Sequence, residues 1–386
     1  MKIMLASESY YPNVDGGAVA EHNLARGLAK LGHQVYIIAP GNRWEDYTDM
    51  DEGTTIFRQK ACTMFFLPNY KATIWPYKNI SKIMNEIKPD ILHLHNPYPI
   101  GTCSMLVAKK LKIPVVGSNH LLPENLFMFI SKLRFMYNIF RDLGWKALVK
   151  FYNKCNYVIS PTQTAINLLL DHGLKTQSGP MSNGINLSVF KPGVADSEFK
   201  KKYNIPEKPV VLYTGRLSGE KCLEVLMNAV PLVLKKIDAC FVFAGEGGEL
   251  NTLKSLAESL GVSKNVVFIG FMSKGDFPIL YRAADLFAIP SIAELQSIVT
   301  MEAMATGLPA VAANKYALPE LVHNGENGYL FEPGNSPELA DKICKILSDK
   351  QLKEKMGKES LEIIKIHELD NVVRQFEAIY LKFVKR

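Results

Sequence analysis

Two successive series of short apolar runs, most of them followed by a helical pattern, constrain this chain more than any other feature. The first series holds KIMLASES (2–8), QVYIIAP (34–40), DILHLHN (90–96), PVVGSNH (114–120) and YVISPT (157–162). The second holds PVVLYTG (209–215), CFVFAG (240–245), VVFIG (266–270), LFAIPS (286–291), PAVAAN (309–314) and GYLF (328–331). Runs this short and apolar fit strands buried on both faces, and helices between them fit parallel crossovers. The fold class expected is α/β, with two doubly wound parallel-sheet (Rossmann-like) domains facing a cleft. The expected boundaries are 1–185 and 186–370, with a C-terminal helix over 371–386 returning to the first domain. Residues 41–60 read as a polar loop, and 178–196 as the exit from the first sheet and the inter-domain linker.

Length agrees with two domains: the chain has 386 residues, 47% hydrophobic and 22% charged. No apolar run is long enough to span a bilayer, and MKIMLASESYYP is too short and strand-like for a signal peptide. Six scattered cysteines without a CxxC suggest reduced thiols in a cytoplasmic protein. The net charge of +7 is uneven: residues 1–185 carry 20 basic and 13 acidic side chains, and the remainder 25 of each. An excess confined to one half suggests an anionic surface as its partner.

Several residues stand where such sheets place ligands. Gly16-Gly17 precedes the first helix, where glycines let backbone amides approach a phosphate or simply make a turn. No GxGxxG follows the first strand, which argues against a dinucleotide-binding oxidoreductase. Asp49-Met50-Asp51 lies in an acidic run and reads as a solvated loop rather than a metal site. His93 and His95 share a strand face, as a metal pair or as a buried hydrogen-bonded pair. His120 ends its strand, and strand C-termini are where open sheets bind ligands. Residues 290–309 form a strand–loop–helix unit with Glu294 in the loop and Glu302 in the helix. A helix N-terminus there suits an anion or a polar sugar edge.

The stretch 124–154 is dense in apolar and aromatic residues and carries Lys132, Arg134, Arg141, Lys146, Lys150 and Lys154 against Glu124 and Asp142. With Trp145, this pattern fits a helix lying in a membrane interface, or else an ordinary buried helix pair. Residues 64–79, MFFLPNYKATIWPYKN, repeat the aromatic-plus-lysine character.

Gly215-Arg216-Leu217-Ser218-Gly219-Glu220-Lys221, the glycine turn Gly245-Glu246-Gly247, and Glu294 through Glu302 with Gly307-Leu308-Pro309 form an ordered set. Together with the N-terminal glycine pair and the SNH at 118–120, they resemble retaining glycosyltransferases of family 4, which have the GT-B fold. The resemblance runs over nearly the whole chain. It implies a nucleotide-sugar donor bound mainly by the second domain, with the first facing acceptor and membrane. Arg216 and Lys221 would clamp the diphosphate, where cations stabilise the departing charge. Glu302 would receive the ribose hydroxyls, and Glu294 those of the sugar, assisted by the backbone amides of Leu295, Gln296 and Ser297. Gly16 and Gly17 would approach the phosphates, and His120 the reacting centre. Gly215, Gly245, Phe271 and Met272 would complete the donor site. Retention implies same-face attack, with the leaving phosphate helping to deprotonate the acceptor. No metal and no cofactor beyond the nucleotide sugar are expected.

The sequence departs from the family pattern at Cys222, where glycine is usual, and at Leu295-Gln296-Ser297. A similar Glu-Leu-Gln-Ser variant occurs in lipid glycosyltransferases of the diacylglycerol glucosyltransferase kind. The expectation is therefore transfer of a hexose, from UDP-glucose, to a membrane lipid such as diacylglycerol. The expected place is the inner face of the cell membrane, with Lys132, Arg134, Arg141, Trp145, Lys146 and Lys150 as membrane contacts. The alternatives are a soluble sugar or cell-surface glycan acceptor, and a non-catalytic nucleotide-sugar-binding protein. No nucleic-acid partner is expected.

Overall fold

The computed structural model describes residues 1–13, 16–64, 67–126, 134–273 and 275–384. The chain forms two compact units, Met1–Gly184 with Leu369–Arg386, and Ile185–Glu368.

Unit 1 begins with β1 (Lys2–Ala6), α1 (Gly16–Lys30) and β2 (Gln34–Pro40). Two hairpins follow, β3 (Tyr47–Asp51) with β4 (Thr54–Gln59), and β5 (Ala61–Met64) with β6 (Leu67–Thr73). Then come α2 (Tyr77–Ile87), β7 (Ile91–Leu94), α3 (Pro99–Leu111) and β8 (Val115–Ser118). The unit continues with α4 (Pro123–Leu126), α5 (Arg134–Tyr152), β9 (Tyr157–Ser160), α6 (Gln163–Asp171) and β10 (Ser178–Pro180).

Unit 2 runs α7 (Ser197–Lys202), β11 (Val210–Thr214), α8 (Leu223–Leu234), β12 (Cys240–Ala244), α9 (Leu250–Ser259) and β13 (Val266–Gly270). It continues α10 (Phe277–Arg282), β14 (Leu286–Ile289), α11 (Ile298–Ala305), β15 (Ala310–Ala313), β16 (Gly328–Phe331), α12 (Ser336–Leu347) and α13 (Lys350–Ile364). The last helix, α14 (Leu369–Phe383), belongs to unit 1.

The first sheet has the order β10-β9-β8-β7-β1-β2-β4-β3, and the second β13-β12-β11-β14-β15-β16. All pairs in both are parallel except β3 with β4. Strands β7, β8, β11, β12, β14 and β15 are buried throughout, which is why they read as unbroken apolar runs. The strand order reverses between β1 and β7 in one unit and between β11 and β14 in the other. Open α/β sheets bind ligands at such reversals, beyond the strand C-termini.

The polar loop expected at 41–60 is instead the edge of the first sheet, with β4 running parallel to β2. Its polarity hid it because hydrogen bonds compensate burial. Arg58, 5% exposed, donates to the carbonyls of Tyr11 and Pro40 and to Asp49, and Thr54 donates to the carbonyl of Asp51. Residues 178–180, expected in a linker, add a last strand beside β9. Among the described residues no helix is long and apolar enough to cross a membrane.

Helix α14 buries Val372, Val373, Phe376, Ile379 and Tyr380 in the core of unit 1, beside Leu24, Ala25 and Leu28 of α1. His33 of the turn after α1 meets Glu377 at 2.8 Å.

Candidate active site

The reversal in unit 2 is lined by the loops after β11 and β14. Gly245 and Gly247 set the floor: a Cβ on Gly245 would collide with the carbonyl of Gly215, and one on Gly247 with the backbone of Leu217. The two loops lock through Leu217 N–H to Glu246 O (2.9 Å) and Glu249 N–H to Leu217 O (3.0 Å). Above them Arg216 projects with its side chain 58% exposed and reaches Glu220 at 3.2 Å. Burial pushes the Glu220 carboxyl up, but the Ser218 hydroxyl, a backbone amide and the Arg216 and Lys221 charges outweigh it and hold it below its ordinary value.

Lys221 Nζ donates to Glu294 Oε1 at 2.6 Å, with the side chains only 15% and 10% exposed. The loop after β11 is thus tied to the loop after β14. Ile292 N–H and Ser291 Oγ both donate to the carbonyl of Glu220 and add to the tie. Leu295, Gln296 and Ser297 are buried, and Ser297 caps α11 by accepting from Thr300 N–H. One turn further, Glu302 accepts from the Tyr281 hydroxyl at 2.6 Å, and that hydroxyl lies 2.7 Å from Thr214 Oγ1. Burial raises the Glu302 carboxyl to about 8, against the opposing bond from Tyr281. Met272 is buried and Phe271 exposed, both just past β13 at the sheet edge.

In unit 1, Gly16 and Gly17 are the first residues of α1 rather than a preceding loop. They occupy the turn whose N–H groups lack intrahelical partners. His93 lies in β7, and His95 and His120 follow in the loops after β7 and β8. His93 Nε2 lies 2.7 Å from Ser118 Oγ, and Nδ1 lies 2.7 Å from the Tyr380 hydroxyl of α14. Both nitrogens are occupied, which excludes the metal-pair reading. Burial, with His120 nearby, pushes His93 down to about 3, so the ring is neutral. His95 packs 4.2 Å from His93 and stacks on His120 at 5.6 Å with planes 2° apart.

Asp49 and Asp51 serve the edge hairpin: Asp49 accepts from Arg58, and Asp51 lies 2.6 Å from His22 Nε2. Trp145, expected at a membrane surface, is 1% exposed. It donates to Glu124 and stacks on His172 at 4.1 Å, because it lies on the inward face of α5. Arg141 is half-buried and paired with Asp142, while Lys146 and Lys150 are exposed. Lys132 and the Arg134 side chain lie outside the described residues. The outward face of α5 instead carries Met136, Ile139, Phe140 and Leu143, each at least 40% exposed. Tyr281, Thr214, Glu21 and His95 escaped the sequence reading of the site. Of these only His95 gave a signal, through its alternation with His93.

Two doubly wound units, the second with a cationic loop tied to a buried carboxylate, define a GT-B glycosyltransferase. The solved structure of Anabaena HepE in complex with UDP and glucose shares the fold, with a TM-score of 0.79 at 20% identity over 99% of this chain and 100% of that one. The family model described as Glycosyltransferase Family 4 matches residues 14–189, and that described as Glycosyl transferases group 1 matches residues 195–362. The chain belongs to the family 4 glycosyltransferases. It is 28% identical to the alpha-monoglucosyldiacylglycerol synthase of Streptococcus pneumoniae, over 86% of this chain and 75% of that protein. It is 25% identical to the synthase of the same name from Acholeplasma laidlawii, over 100% and 98%.

Proposed function

We propose that this enzyme transfers glucose, with retention, from UDP-glucose to a membrane lipid such as diacylglycerol at the inner face of the cell membrane. The observation that carries the reading is the Lys221–Glu294 pair beside Arg216 at the reversal of the second sheet. Arg216 and Lys221 hold the diphosphate and stabilise its charge as the sugar departs. Glu294 accepts sugar hydroxyls while keeping Lys221 in place, and the amides of Leu295 to Ser297 add donors. Glu302 accepts the ribose hydroxyls, a task suited to a carboxylate with several lone pairs. Gly215, Gly245, Phe271 and Met272 flank the rest of the donor. Gly16 and Gly17 serve the phosphates, and His120 the reacting centre. The C1–phosphate bond breaks, the acceptor oxygen bonds C1 on the same face, and its proton passes to the leaving phosphate. No metal takes part.

The lipid acceptor is supported by the names of the two synthases and by the outward face of α5. Met136, Ile139, Phe140 and Leu143 form one helical stripe, continued by Lys146 and Lys150. Exposed Ile74 and Trp75 add a second apolar contact. Aliphatic and aromatic bulk beside lysine suits an anionic bilayer surface.

A screen of UDP-, GDP- and ADP-sugars against diacylglycerol and water-soluble acceptors tests the reading, with products identified by mass spectrometry and anomeric configuration by NMR. Glucosyl-diacylglycerol in the α configuration is expected. Transfer only to soluble acceptors overturns the lipid assignment, and absence of both transfer and donor hydrolysis overturns the enzyme. Flotation with phosphatidylglycerol vesicles should recover the wild type and lose a variant with serine at 136, 139, 140 and 143. Equal flotation of both removes α5 from the membrane contact.

A further inference from the structure

Unit 1 carries a polar constellation that the donor scheme leaves unused. His95 is 5% exposed, yet neither ring nitrogen has a hydrogen-bond partner. Buried polar atoms are nearly always satisfied, so an imidazole with both nitrogens unpaired points to a group that completes it. A cavity of about 10 Å³ opens beside it, lined by Glu21, His95, His120, Asn183, Leu369 and Phe376 among others. That is room for about one water-sized group.

The spacing specifies the chemistry of that group. Glu21 Oε2 lies 3.9 Å from His95 Nδ1, too far for a direct hydrogen bond. A single oxygen can sit within hydrogen-bonding reach of both. A neutral imidazole offers one N–H donor and one bare nitrogen, and a carboxylate only accepts. A hydroxyl, which donates once and accepts as well, matches both walls, whereas a carbonyl or an anion would face the carboxylate without a proton to give. The parallel stack of His95 on His120 puts this seat beside the ring assigned to the reacting centre.

We propose that Glu21 and His95 form the seat for the acceptor's attacking hydroxyl, held by non-covalent bonds alone and filled by water when no acceptor is bound. The inference rests on the glycosyltransfer reading above and adds to it the group that receives the acceptor. No proton leaves the hydroxyl to Glu21; the seat fixes the oxygen, and the leaving phosphate takes the proton.

The test uses the full chain with Glu21→Gln, which keeps shape, and His95→Phe, which keeps the ring plane. Transfer to dioctanoylglycerol, donor hydrolysis without acceptor and calorimetric donor Kd are measured on each. Each variant should lose transfer on the order of 10–100-fold, the worth of a hydrogen bond to a charged group. Donor hydrolysis should fall much less, because water can react from several positions, and donor Kd should stay within about twofold of wild type. In histidine-¹⁵N-labelled wild type, dioctanoylglycerol alone should shift the His95 imidazole resonances. Wild-type transfer in Glu21→Gln, or equal losses of transfer and hydrolysis with no His95 shift, overturns the proposal and marks the cavity as a structural water site. If His95→Phe does not fold, Glu21→Gln and the resonance shift decide. A wild type without any transfer instead breaks the glycosyltransfer reading, and the His95 shift still reports whether the seat takes a hydroxyl.

Discussion

The two sheet reversals are built from opposite materials. In unit 2 the strand-end loops are ionic and mutually satisfied, Arg216 with Glu220 and Lys221 with Glu294, and behind them the Tyr281 hydroxyl donates to Glu302. In unit 1 the corresponding strand end carries two neutral imidazoles, His93 with both nitrogens bonded and His95 with neither. A satisfied ionic site is fixed before its ligand arrives, and pre-organised charge is what a departing diphosphate needs. An unsatisfied neutral site waits for a group that completes it.

Breaking the ionic side should have the largest effect. Lys221→Ala removes a cation proposed to hold the diphosphate and leaves Glu294 buried without its partner. Turnover should fall about 1000-fold or more, and urea unfolding should show a loss of about 3 kcal/mol. The double variant Lys221→Met with Glu294→Gln should regain much of the stability and none of the turnover.

Glu302→Gln sharpens the comparison through pH. The folded carboxyl sits at about 8 against an ordinary 4.5, so the wild type gains stability from it below pH 4.5 and loses that as pH rises to 8. The variant should match wild type near pH 4 and exceed it by about 5 kcal/mol above pH 8, read from denaturant midpoints. Donor affinity should move the other way: wild-type binding tightens as pH approaches 8, and Glu302→Gln binds weakly with no such slope.

On the neutral side, Tyr380→Phe strips a hydroxyl from His93 and should cost about 1–2 kcal/mol in thermal or urea unfolding. Donor Kd should not move, since neither Tyr380 nor His93 is assigned to the donor. Smallest is Cys222→Gly. Cys222 holds a left-handed backbone at φ 49°, where a Cβ is disfavoured, so glycine should add about 0.5–1 kcal/mol and keep activity. A loss of stability there would show that the thiol's packing outweighs the backbone strain.

Much of the frame was legible because parallel strands bury both faces. QVYIIAP, VVFIG and GYLF are strands at the residues their apolar runs mark. Strands β3 and β4 were not, because Arg58 and Thr54 of β4 are buried through bonds that no hydropathy pattern shows. On α5 the apolar residues nearly surround the helix. Only packing distinguishes Trp145, turned inward, from Leu143, turned out. The candidate site could be marked out in the sequence only as residue types at motif spacing. The partners could not: Tyr380 and His93 are 287 positions apart, and nothing local to either announces the other.

Helix α14 follows the whole of unit 2 in the chain yet supplies Leu369 and Phe376 to the histidine cavity of unit 1. During synthesis, then, the second-encoded unit can close while the first still lacks a wall. The N-terminal sheet must wait with its apolar face uncovered for the length of a domain, an interval in which a chaperone has something to hold. Unit 1, proposed to seat the acceptor, is completed last, so a nascent chain halted before residue 369 carries all of unit 2 and lacks a wall of the histidine cavity.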